Sequence, residues 1–276
     1  MDERQNQDVP KMSSVEEEEF EMSHADKLVG VFSEPGKTFE KMSKFPAKTS
    51  DWLIPLLIMI VVTILSLSVM QSNPDIRLAM KEKQLKAMEQ QFDEMVKKGQ
   101  ITEAQKEEQL NTMQDRMDQM GSLQIVFQSI GVIIFSFIIF FVVVGVFYLF
   151  VKYVAKGDGT YRYAMAAYGL PMYITVLQSI VAVIVSLAMN KMIMDVNAAT
   201  LLNIDSSTIT GFLLSKLAPF SIWFYILLAI GFAKLFKSTD TKKYIILIFG
   251  IWIGFSLIFF FLAKALPFLR WFTGNA

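Results

Sequence analysis

The chain contains no cysteine, which excludes disulfide bonds, thiolate metal sites and a cysteine nucleophile. Histidine is almost absent as well: His24 is the only one, and it lies in a polar N-terminal region. A zinc site or a Ser-His-Asp triad would have to use this residue, and its surroundings favour neither. The sequence also has no HExxH, P-loop or GxSxG motif. We therefore predict that the protein is not an enzyme and binds no metal ion or cofactor.

Charge of either sign is missing from long stretches of the sequence. The formal net charge is zero, which predicts no general attraction to nucleic acid, and 53% of the residues are hydrophobic. The charged residues concentrate before residue 52, between residues 73 and 119, and in three short connectors. Long uncharged apolar blocks separated in this way are typical of a polytopic membrane protein in contact with the lipid bilayer. We predict an all-α fold, a five-helix transmembrane bundle, with spans at about residues 52–70, 123–151, 164–189, 212–236 and 244–262.

The interiors of the predicted spans lack ionisable side chains, which ion-coupled transporters usually place near the middle of the membrane. Two features remain as candidate helix-packing or pathway sites. Pro171 interrupts the third span, and Gln178 and Ser179 are polar groups about two turns beyond it. In the fifth span, Gly250 and Gly254 form a GxxxG face that allows close helix approach, either within the bundle or in a dimer.

The N-terminal region divides into two parts. Residues 1–22 are polar and acidic, which predicts a disordered tail. Residues 23–48 predict two short amphipathic helices, the first capped by Ser23 with Asp26 and the second starting at Pro35. Because basic residues surround their apolar faces just before a span, we expect them to lie at the interface of an anionic membrane leaflet, to pack on the protein's own helices, or both. The candidate interfacial anchors are Phe32, Phe39, Lys41, Lys44 and Trp52.

Residues 74–120 are a large polar insertion between the first two spans, within the predicted membrane domain of residues 49–276. Its apolar residues recur at intervals of three and four, as in the seam of a coiled coil. A helix-stop signal at Lys98-Gly99 and a capping box of Thr102 with Gln105 predict an antiparallel helical hairpin outside the membrane. The seam either only joins the two arms or also accepts a partner helix or a second copy of the chain. The candidate seam residues are Leu85, Met88, Phe92, Met95, Leu110, Met113 and Met117.

The basic residues of the short segments are unevenly distributed. Most of them precede the first span, or lie between spans two and three and between spans four and five. The positive-inside bias places these segments in the cytoplasm. We therefore expect a cytoplasmic N-terminus and a hairpin on the outer side, although the hairpin also carries Lys and Arg residues.

Two stretches resemble a known family. Residues 28–46, LVGVFSEPGKTFEKMSKFP, and residues 163–171, YAMAAYGLP, are similar to the opening segment and the third-span step of the Yip family. These are five-span membrane proteins named for interaction with Ypt/Rab GTPases. The chain lacks the Asp-Leu-Tyr-Gly-Pro type motif of the eukaryotic members. This absence argues against Rab binding, and the resemblance implies the bacterial branch, a bacterial inner membrane, and a membrane protein whose biochemical role the family leaves undefined.

Two functions are compatible with the sequence. The first is a non-enzymatic bundle that organises membrane or partner proteins through its two extramembrane helical regions. The second is a carrier or channel for a neutral or lipid-like solute, which would use the break at Pro171 with Gln178 and Ser179. A polar cavity at mid-depth in the bundle would favour the second.

Overall fold

The computed structural model describes the backbone of residues 21–265 and the side chains of that range outside residues 117–125. The described residues form eleven α-helices and no strand. The helices are α1 (His24–Ser33), α2 (Pro35–Met42), α3 (Ser50–Ser72), α4 (Pro74–Lys97), α5 (Glu103–Tyr153), α6 (Tyr161–Gly169), α7 (Met172–Met189), α8 (Ala198–Leu201), α9 (Ile209–Ser215), α10 (Pro219–Leu235) and α11 (Thr241–Ala265). The predicted acidic tail and the last eleven residues lie outside the described range, apart from residues 21 and 22.

Four helical segments are long and apolar enough to cross a membrane. They are α3, the Val126–Tyr153 part of α5, the Tyr161–Met189 segment formed by α6 and α7, and α11. The fold prediction of an all-helical polytopic membrane protein is confirmed. The count of five spans holds when α9 and α10 are taken together as one span.

The predicted fourth span is not one uninterrupted helix. α9 and α10 meet at an angle of 59° across the break formed by residues 216–218. Pro219 is the first residue of α10, where its missing N–H costs no helical hydrogen bond. Within the predicted fourth span, Pro219 therefore starts a new helix in a new direction.

The centre of the bundle lies around α6. Its Ala164, Ala166, Ala167 and Gly169 are buried, and these small side chains allow α3 and α10 to approach closely. A Cβ atom on Gly169 would lie 2.7 Å from the carbonyl oxygen of Asp51, so only glycine fits this crossing. Next to α6, α7 packs along α3. The break between α6 and α7, at Leu170 and buried Pro171, therefore sits inside the packed core.

The insertion after the first span folds as the predicted hairpin. The side chain of Asn73 accepts hydrogen bonds from the backbone of residues 75 and 76, which starts α4. Gly99 turns the chain with a φ angle of +68°, and Thr102 with Gln105 forms the capping box of α5. α5 then continues without interruption through the second span.

Candidate functional site

The N-terminal helices pack on the protein itself. The ring of Phe39 in α2 is fully buried and faces Gly231 of α10. Beside it, the carboxylate of Glu40 accepts a hydrogen bond from Lys234 at 2.8 Å, and this contact lowers the pKa of Glu40. Phe39 therefore packs on the protein's own helices, which is one of the placements expected for this region. An amphipathic pattern does not distinguish an apolar face turned to lipid from one turned to protein.

A buried ion pair connects α1 to the start of the first span. The Nζ atom of Lys27 donates to Oδ1 of Asp51 at 2.8 Å, and their side chains are 5% and 1% exposed. The other carboxylate oxygen of Asp51 accepts the backbone N–H of Lys48 at 3.1 Å. Both oxygens of this buried carboxylate are therefore hydrogen-bonded, as a charge with little access to water requires.

His24, the first residue of α1, completes the polar cluster. Its Nε2 atom lies 2.8 Å from the hydroxyl oxygen of Tyr173 in α7, whereas its Nδ1 atom is buried without a hydrogen-bond partner in the described structure. Burial lowers the pKa of His24, and the positive charge of Lys27 lowers it further, while Asp51 acts in the opposite direction. We call His24, Lys27, Asp51 and Tyr173 the α1 cluster.

The other predicted anchors lie around these two helices. The ring of Phe32 meets Trp223 of α10 edge-on, with ring centres 5.5 Å apart. Trp52 is half-buried and stacks on Phe140 of α5 at 5.2 Å. Lys41 is half-buried and Lys44 is exposed. Phe32 and Trp52 therefore have aromatic partners within the protein.

No sequence pattern indicates the pairing within the α1 cluster. From the sequence alone, Asp51 is a possible helix cap and His24 is expected to be a solvated side chain. Their partners lie far away in the sequence, 24 residues from Lys27 to Asp51 and 149 residues from His24 to Tyr173. One sequence feature is compatible with a polar cluster here: charged residues flank the first apolar block on its N-terminal side.

None of the predicted seam side chains that the structure describes is buried in the hairpin. Leu85, Met88, Phe92, Met95 and Leu110 are half-buried, and Met113 is 39% exposed. The side chain of Met117 lies outside the described residues. An ion pair between Lys106 and Asp93 joins the arms near the turn, and the hydrogen bond from this lysine to Asp93 raises the pKa of Lys106. Each of the described seam side chains therefore keeps part of its surface exposed.

The predicted pathway residues of the third span make contacts within the protein. Gln178 donates a hydrogen bond to Asp195 at 2.7 Å, in the segment that follows α7. The hydroxyl of Ser179 donates to the carbonyl oxygen of Thr175 in its own helix at 3.0 Å. The first contact ties the connector after α7 to the span, and both side chains are hydrogen-bonded within the protein.

Gly250 and Gly254 lie on an open face of α11. A Cβ atom built at either position would have no neighbour within 4 Å among the described residues. Close packing inside the bundle therefore does not explain this GxxxG face. The dimer alternative stays a prediction.

Neither of two clefts in the described part of the chain is bordered by Pro171, Gln178 or Ser179. One opens where the N-terminal helices meet α3 and is bordered by Lys27, Lys41, Asp51 and Tyr163. The other lies between α4 and the loop before α9, bordered by Glu82, Lys83, Lys86 and Asp205. Within residues 21–265, no group of three or more His, Asp or Glu side chains is placed to hold a metal ion.

Comparison with known proteins assigns the family. The model of the Yip1 domain matches residues 29–263, which is most of the chain and runs from within α1 to within α11. No curated protein and no solved structure matches the chain. The matched range includes both stretches on which the resemblance rests, apart from residue 28. The chain therefore belongs to the Yip1 domain family of membrane proteins.

Proposed function

We propose that this Yip-type membrane protein is a non-enzymatic organiser of membrane or partner proteins, and that the hairpin seam is its contact surface. The observation that carries the proposal is the exposure of the seam. None of the six seam side chains that the structure describes is buried, although they repeat at the spacing of a coiled-coil core. A third or fourth helix placed on this face would bury them.

The composition of the seam suits a partner helix. Met88, Met95 and Met113 are unbranched and polarizable, so they adapt to more than one packing surface. The base of the hairpin is also tied to the residue that follows α7, because Asn73 donates a hydrogen bond to Asn190 at 2.9 Å. The seam side chains can repack while the base of the hairpin remains bonded to the bundle. The seam can therefore engage a membrane protein beside the bundle or a second copy of the chain.

The proposal includes an orientation. The N-terminal helices lie on the cytoplasmic side and the hairpin on the outer side of a bacterial inner membrane. The positive-inside distribution of Lys and Arg supports this arrangement. Because the chain has no native cysteine, a single cysteine introduced at exposed Gln91 or Val29 shows on which side of the membrane that position lies. A membrane-impermeant thiol reagent should label the first in intact cells and the second only after permeabilisation, and the reverse pattern would invert the orientation.

Transport of a neutral or lipid-like solute is the alternative. It depends on Gln178 and Ser179 as groups along a pathway, whereas both side chains are hydrogen-bonded to the protein itself. Neither the cleft at α2–α3 nor the cleft at α4 is bordered by Pro171. These contacts favour the organising function over the carrier.

A matched pair of charge substitutions tests the seam. Met113→Glu places a carboxylate on the seam, and Gln114→Glu places the same charge one residue away on the same helix. Both positions are exposed, so neither change buries a charge within the monomer. Crosslinking in native membranes should lose its products with Met113→Glu and retain them with Gln114→Glu. Identical crosslinks from both variants, and from a chain lacking residues 74–120, would overturn the proposal.

A further inference from the structure

Helix α1 contacts the membrane spans through a few individual side chains. Along its length it packs on α2, where Gly30 of α1 leaves room for Thr38. It reaches the spans through His24 on Tyr173, Lys27 on Asp51 and Phe32 on Trp223. Two of these three contacts are polar and one involves the only histidine of the chain. Apolar packing of Val31 also holds α1, and one polar contact of the helix depends on the protonation state of a single imidazole ring.

The groups that face His24 come from three elements. They are Lys27 from α1, Asp51 from α3 and Tyr173 from α7. A protonated imidazole carries two N–H donors, and the hydroxyl of Tyr173 accepts one of them. The second donor, at Nδ1, would be buried without an acceptor among the described residues. One carboxylate oxygen of Asp51 already accepts a hydrogen bond from Lys27, and the other accepts the backbone N–H of Lys48.

We propose that the α1 cluster is a proton-sensitive latch, in which neutral His24 holds α1 against α3 and α7 and protonation of His24 releases α1 from the spans. Protonation would add a second positive charge beside Lys27 and an unpaired donor at Nδ1. Release of α1 would return both groups to water. The inference goes beyond the organising function, since it holds whatever partner the hairpin binds.

The direction of the pH dependence follows from the pKa of His24. In the docked state this pKa lies below its ordinary value of 6.5, because burial and Lys27 outweigh the attraction of Asp51. The released state therefore binds the proton more tightly. Docking is fully stable above pH 6.5 and weakens as the pH falls from 6.5 through the lowered pKa of the docked ring.

Release would uncover a defined part of the spans. Tyr173 is the second residue of α7, next to the break at Leu170 and Pro171, and Asp51 is the second residue of α3. Both side chains are buried when α1 is docked. Withdrawal of α1 therefore opens the core of the bundle at the one break in its third span.

Two single-cysteine variants of the full chain test the latch in liposomes. Val31 is 1% exposed and Val29 is 65% exposed, and both lie on α1. The rate at which a maleimide labels Val31→Cys, divided by the rate for Val29→Cys, cancels the effect of pH on thiol reactivity. This ratio should rise several-fold between pH 7.5 and pH 5. In a His24→Gln background it should stay constant, because an amide still bonds to Tyr173 but does not titrate.

A ratio that stays constant with His24 present, or that rises equally with His24→Gln, would overturn the proposal. If Val31→Cys does not assemble, trypsin gives the same information on the unsubstituted chain. Cleavage after Lys27, which is 4% exposed, is compared at each pH with cleavage after exposed Lys37. The first should increase relative to the second on acidification, and a constant ratio would again reject the latch.

Discussion

The Nζ atom of Lys27 lies 2.8 Å from Oδ1 of Asp51, and both side chains are at least 95% buried. A charge pair so far from water is costly to form, and it becomes far more costly when one partner is removed. This relationship makes the junction of α1 with the first span sensitive to single substitutions, and it supplies the sharpest test of the structure.

Lys27→Met should destabilise the protein by about 3–5 kcal/mol, because it leaves the carboxylate of Asp51 buried without a counter-charge. Lys27→Met combined with Asp51→Asn should be more stable than Lys27→Met alone, because asparagine carries no charge and still accepts the N–H of Lys48. Thermal unfolding in detergent measures both effects. Lys37→Met, at an exposed pair with Glu34, is the control and should cost less than about 1 kcal/mol.

The pKa of His24 should respond in opposite directions to its two charged neighbours. Lys27→Met should raise this pKa, because Lys27 lowers it, and Asp51→Asn should lower it further, because Asp51 raises it. NMR titration of the imidazole is unambiguous, since the chain has only one histidine. Shifts of the same sign in both variants would show that the ring does not lie between these groups.

Gly169→Ala should destabilise the bundle by about 1–3 kcal/mol, because the added methyl group would meet the backbone of Asp51 and Trp52. Gly250→Ala should cause no loss of stability, since nothing lies within 4 Å of the corresponding position. Both glycines are helical, so the comparison removes the effect of helix propensity. Equal unfolding temperatures for the two variants would contradict the close crossing of α3 and α6.

Thr102→Ala should destabilise the start of α5 by about 1 kcal/mol, because its hydroxyl accepts the N–H of Gln105 in the capping box. Amide hydrogen exchange over residues 103–106 should accelerate, while exchange in the spans stays unchanged. Thr112→Ala, at an exposed position within the same helix, is the control and should leave exchange unaltered.

Features coded by neighbouring residues could be predicted from the sequence. The caps at Asn73 and Thr102, the turn at Gly99 and the apolar spans each depend on residues within a few positions of one another. The hairpin and the helical membrane fold follow from these local signals. The same reasoning found the helix start at Pro35 and the cap at Ser23.

Features that join distant residues could not be predicted. The sequence does not reveal that Phe39 packs on Gly231 or that His24 reaches Tyr173, because periodicity shows that a face is apolar without showing what covers it. The break before Pro219 escaped prediction for a related reason. Hydropathy stays high across residues 212–236, and a change of helix direction leaves no trace in hydropathy.

Helix α5 contains 51 residues, which corresponds to a rod of about 76 Å at 1.5 Å per residue. One end of this rod is capped at the turn of the hairpin, and the other reaches the connector that leads into α6. The helix is continuous between the two ends. A movement of the hairpin would therefore be transmitted along the same helix to the far end of the second span.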